Sequence, residues 1–274
     1  MLGNAPRWTF PTRLAWPLAL AALALTAGAW LAYTPPGLLG KADAIGYAIC
    51  HRIDLRSFHI GDRALPLCAR CTGIYLGALA GVAVLAALGR GRAGGLPRTP
   101  QLVVLVGFIG LMGVDGLNSY ATLFPGVPHL YEPSNTLRLV TGTFNGLAVA
   151  GLLYPVFNQT LWREWDPAPV LRGWRELGLL CLAALGVIGL VLTNAPLILY
   201  PLAVLSALSV LGLLTLLYTI GLLAVTGRHN TLAGWRAAAL PLVIGLTLAL
   251  LQIAVIDAGR YALFKTWAGF PIGG

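Results

Sequence analysis

The residues of this chain best equipped for chemistry lie within one short stretch. It begins Cys50-His51-Arg52, passes through Arg56-Ser57-Phe58-His59, and closes on Cys68-Ala69-Arg70-Cys71. A C-x-x-C pair puts two thiols within one turn, where both can hold the same ion, and tetrahedral zinc takes four sulfur or nitrogen ligands. Cys50, Cys68 and Cys71 would supply three, with His51 as the fourth and His59 as its alternative. The same thiols also suit other chemistry. Cys68 and Cys71 could form a redox pair with Cys50 as resolving thiol, or a plain disulfide in an oxidising compartment. Inert packing is the remaining reading. Covalent haem needs C-x-x-C-H, but Thr72 follows Cys71. The expected cofactor is one zinc or iron ion, and no nucleotide motif is present. Cys181, alone in an apolar run, reads as a packing residue.

Charge crowds the same region. Arg52, Arg56, Arg63 and Arg70 lie on it, and guanidinium groups grip phosphate in a bidentate fork. A lipid phosphate or a phosphorylated isoprenoid would suit them. The competing reading pairs them with Asp54, Asp62 and Glu132, or with headgroups. Asp115 and Arg138 fall within apolar runs. A charge at the bilayer centre costs at least ~2.5–3.5 kcal/mol, so such residues pair or line a polar cavity. Asp115 with Arg138 is the expected pair. Asn118, Asn135 and Arg138 join Arg52, Arg56 and Arg70 as candidate substrate or phosphate contacts, while Asp115, Glu132 and Arg138 are the candidate catalytic groups. Gly142 and Gly146 form a small-x-x-x-small pair suited to close helix packing. A structural salt bridge beside packing glycines would explain the same pattern.

These residues need a scaffold, and the composition says which solvent it faces. Of 274 residues, 58% are hydrophobic and only 10% charged, with mean hydropathy +0.80. A soluble domain carries about 25% charged residues to keep its surface wet, so lipid is the consistent solvent. Crossing the hydrocarbon takes about 20 apolar residues. Such runs lie near 14–33, 72–89, 101–120, 135–156, 177–195, 201–226 and 237–257. The fold class is therefore all-α, a polytopic bundle of about seven spans with the Cys/His loop 34–71 between the first two. Arg7 and Arg13 precede the first run, which reads as a retained helix. Two sequence regions, 1–156 and 157–274, make up one membrane domain.

Ten of the 18 Lys and Arg residues lie on the side of the N-terminus and seven on the other, with Arg138 inside a span. That bias favours the N-terminus inside and the C-terminus outside. Despite the charge of +9, the basic residues are dispersed over short loops, so the expected partners are membrane lipids and not nucleic acid. An even number of crossings brings Asp115, Asn118, Glu132, Asn135 and Arg138 to the same side as the cysteines. Trp162, Trp165, Trp174, Trp235 and Trp267 read as an aromatic belt, and Asp257 and Arg260 as interfacial charges.

The string around the cysteines resembles an uncharacterised prokaryotic membrane-protein family. The resemblance rests on Cys50, His51, Arg56, Ser57, Phe58, Pro66, Cys68, Arg70, Cys71, Thr72, Gly73 and Tyr75, then on Asp115-Gly116 and on Asn135, Arg138 and Gly142. It covers about residues 47–146 and implies a multi-pass protein of the prokaryotic plasma membrane, with no established activity. Three functions remain open from the residues: an enzyme or binding protein for a lipid-linked phosphate, a transporter of a metal ion or anionic solute, and a structural subunit with a cysteine staple.

Overall fold

The structure, a computed structural model, describes residues 12–124 and 126–270; Arg7 and Pro125 fall outside them. The described residues form eight α-helices. Seven are long and apolar enough to cross a membrane: α1 (Thr12–Tyr33), α3 (Ala69–Ala87), α4 (Thr99–Ala121), α5 (Asn135–Leu161), α6 (Trp174–Leu192), α7 (Pro196–Val225) and α8 (Trp235–Phe264). The eighth, α2 (Leu38–Ile49), is too short to span and was not evident in the hydropathy pattern. Leucines face outward along the bundle, with Leu25 at 74% and Leu197 at 88% exposure. Such faces are stable only where lipid covers them, because helices satisfy their own backbone there.

The centre of the bundle is the pair α3 and α5. Gly73 lies against Leu139 and Thr143, Gly77 against Thr143, and Gly81 against Leu147 and Ala150. The partners climb in the same direction, so the two helices run parallel. They are in near-backbone contact: a Cβ on Gly73, Gly77, Gly142 or Gly146 would run into main-chain atoms of the other helix. Membrane helices lack a hydrophobic drive to associate and depend on such close packing. Gly146→Val should therefore destabilise the protein by about 1–3 kcal/mol or more, the usual cost of overpacking. Gly107→Val, where nothing lies within 4 Å, should stay within about 0.5 kcal/mol. Thermal unfolding in detergent reads both, and equal effects would contradict the close pair.

Parallel packing brings the N-termini of α3 and α5 to one face, with the C-terminal end of α4 beside them. The opposite face is closed by two short strands, β3 (Ala93–Gly95) and β4 (Asp166–Pro169), paired in parallel. Two expectations fail here and at the rim. Trp162 is buried at 1% exposure, not in an aromatic belt. Its indole donates to Asn158 Oδ1 at 3.0 Å, and its backbone bridges to Leu232. Asp257 is not an exposed interfacial charge but fully buried, and Trp30 Nε1 donates to its Oδ2 at 2.9 Å.

Candidate functional site

The 17 residues between Cys50 and Cys68 fold back so that the two thiols meet. Cys50 is the C-cap of α2 and Cys68 the N-cap of α3. Two features close the loop. Gly46 lets α2 lie directly on Pro66, whose carbonyl occupies the space a Cβ would need. A hairpin of β1 (His59–Ile60) and β2 (Arg63–Ala64) reverses the chain. Its turn uses Gly61 at φ 60°, a conformation glycine adopts without steric cost. Asp43 on α2 then ties the loop down, pairing with Arg52 at 2.8 Å and also with Arg63. The acid that balances these arginines is thus Asp43, not Asp54, Asp62 or Glu132 as the sequence suggested. Arg52 sits at φ 52° and donates to the Trp267 carbonyl at 3.1 Å.

The Sγ atoms of Cys50, Cys68 and Cys71 all lie within 4.8 Å of one another. Thiolates on one tetrahedral zinc, with Zn–S ~2.3 Å, stand about 3.8 Å apart, so this trio can converge on one ion. Cys50 and Cys68 are buried and Cys71 half-buried. Ala42, Ile45, Leu67, Ala207, Val210 and Ile253 pack around the cluster. Cys50 Sγ accepts two backbone N–H groups, from Arg52 and from Cys68, each at 3.4 Å. Donation from the Cys68 and Cys71 thiols, aided by the Cys68 N–H, holds the Cys50 pKa well below the ordinary thiol value, against its burial. Cys68, whose thiol is hydrogen-bonded to Cys50 and which is buried as well, is pushed up to about 12.

The histidines take other partners. His51 Nδ1 accepts the Ile53 N–H at 2.9 Å, and His59 Nε2 pairs with Asp54 at 3.0 Å. Among the described residues no histidine nitrogen joins the three sulfurs. Two contributors went unnoticed in the sequence. Arg260 of α8 donates to the carbonyls of Cys50 (2.9 Å) and Tyr47, and its guanidinium stacks 3.8 Å from the Tyr47 ring. The segment after α8 lies over the loop: Phe270 N donates to His51 O at 3.0 Å, and Tyr47 Oη donates to Thr266 O at 2.8 Å. No spacing rule links residues some 200 positions apart, so only their chemical types hinted at them.

The buried charges pair differently from expectation. Asp115 takes Arg70 as its partner, not Arg138. Arg70 Nε donates to Asp115 Oδ2 at 3.1 Å, and Nη2 reaches the same oxygen, the Asp115 carbonyl and Ser119 Oγ. Tyr131 and Thr141 donate to Asp115 as well, at 3.0 and 3.2 Å. Both carboxylate oxygens are so engaged, at 1% exposure, and Asp115 thereby links α3, α4 and α5. Asn118 clamps the loop after α4 through Leu130 and Tyr131. Asn135 donates to Leu55 O and Ser57 O and accepts from Arg138 Nη1 at 2.8 Å. Glu132 stands apart, with its side chain 89% exposed and paired with His129. Asp115, Asn135 and Arg138 do meet the cysteine-bearing segment at one face, as the crossing parity required.

Comparisons with known proteins agree with a membrane protein. Residues 50–152 match the family described as "Predicted membrane protein (DUF2085)". The chain is also 29% identical over 122 residues to "Uncharacterized protein MJ1492" of Methanocaldococcus jannaschii, covering 44% of this chain and 72% of that protein. The resemblance to an uncharacterised membrane-protein family is thereby borne out. No solved structure matches. The matched stretch runs from Cys50 into α5 and so takes in the three thiols, Arg70, Asp115 and Arg138.

Proposed function

Taking a multi-pass membrane protein with this family's stretch as the premise, we propose that Cys50, Cys68 and Cys71 bind one zinc-like metal ion. The ion lies at a membrane face, beside an arginine-rich pocket that receives a lipid or lipid-linked phosphate. The convergence of three sulfurs within 4.8 Å carries this reading. The two N–H···S bonds to Cys50 support it, since such bonds favour a sulfur carrying negative charge. The donor set suits a soft, thiolate-binding ion. Three protein ligands leave a fourth corner for solvent or substrate, the arrangement in which zinc polarises what it binds. With the N-terminus inside, the site faces outward.

Metal content per chain in detergent-purified protein tests this, with wild type beside Cys68→Ser/Cys71→Ser. About one zinc or iron per wild-type chain is expected, lost in the variant. A metal-free wild type whose thiol count rises on reduction would replace the metal with a disulfide or redox pair.

A further inference from the structure

Two guanidinium groups beside the thiols form no ion pair among the described residues. Arg138, in the first turn of α5, is 6% exposed. Among the described residues only its Nη1 is hydrogen-bonded, to the amide of Asn135, and its buried Nε has no partner. Arg56 donates through Nη2 to Ser119 O at 3.0 Å and Thr122 Oγ1 at 3.4 Å, both uncharged. Among the described residues neither arginine pairs with a carboxylate. Asp115 is already held by Arg70.

These groups are neighbours. Arg56 and Arg70 both end on Ser119. Asn135 links Arg138 to the carbonyls of Leu55 and Ser57, on either side of Arg56. His51 lies within electrostatic reach of all three arginines. Because His51 Nδ1 accepts the Ile53 N–H, its Nε2 carries the ring hydrogen and can only donate. The N-termini of the parallel helices α3 and α5 add their positive ends at the same face. Holding like charges together and out of water is costly unless an anion joins them. Three thiolates around a divalent ion would leave too little negative charge to neutralise both arginines.

We infer that Arg56 and Arg138, with His51 as a further donor, form a seat for a phosphate group. Guanidinium forks match tetrahedral oxyanions, and helix N-termini favour the same ligand. The phosphate belongs either to a lipid headgroup or to a free anion. The inference deepens the reading of this face given above, but it does not require the metal.

The test uses full-length, delipidated protein in neutral detergent. Thermal shift is measured against inorganic phosphate, with chloride as the control, and against phosphatidylglycerol, with diacylglycerol as the phosphate-free control. Wild type should be stabilised by phosphate, by phosphatidylglycerol, or by both. A response to the first alone assigns a free anion, and to the second alone a headgroup. Arg56→Gln and Arg138→Gln should each weaken the effective ligand by about tenfold or more, as losing a charge-assisted hydrogen bond does. Arg163→Gln, on the opposite face, should not. Arg56→Gln keeps the test valid if Arg138→Gln misfolds, since Arg56 is only half-buried. Wild type unmoved by either ligand, or an Arg56→Gln variant that responds like wild type, overturns the seat. Repeating the titration on Cys68→Ser/Cys71→Ser separates the two readings: a phosphate response without metal leaves the seat standing after the metal site has failed.

Discussion

Arg70→Met should destabilise the protein by about 3–5 kcal/mol, the usual cost of removing one partner from a buried ion pair. Asp115 would keep Tyr131 and Thr141 as donors but lose the guanidinium that pairs with it. Buried at the packed junction of three helices, it has no water to replace the guanidinium. Asp115→Leu should cost a similar amount, by stranding Arg70 against Ser119. The double variant Arg70→Met/Asp115→Leu should recover much of the loss, because apolar groups of similar size can replace a buried pair at little cost. A double-mutant cycle read by thermal or denaturant unfolding in detergent gives the coupling. Additive losses would mean that the two residues act separately and that the pair is not what joins α3 to α4.

Zinc affinity should collapse by at least about 100-fold in Cys50→Ser, since changes outside the ligand set alone already cost about 10–100-fold. Cys50 is the informative position because it comes from α2, whereas Cys68 and Cys71 belong to one helix terminus. Cys181→Ser, in a thiol that packs within another core cluster, should bind as wild type. Competition with a chromogenic chelator measures both. A Cys50→Ser protein with unchanged affinity would reduce the site to a two-thiol pair and leave α2 a packing element only.

Hydropathy alone located the spans, because a stretch of about 20 apolar residues has few alternatives to crossing a bilayer. Spacing likewise singled out Cys50, Cys68 and Cys71, and crossing parity put Asp115 and Arg138 on their side of the membrane. What the linear chain left open was which charge meets which. Arg70 and Arg138 both lie within reach of Asp115 by parity. The choice depends on how α3 is rotated, and that rotation follows from the glycine contacts of Gly73, Gly77, Gly142 and Gly146. Asp43 and Arg260 were equally hidden. One balances the loop arginines and the other holds the Cys50 carbonyl, yet neither belongs to a local pattern. Side-chain type and spacing are properties of the chain, whereas pairing and burial arise from helix packing between distant segments. For this protein the sequence determined the spans and the three thiols, and only the tertiary structure decided that Asp115 pairs with Arg70, while Arg56 and Arg138 meet no carboxylate among the described residues.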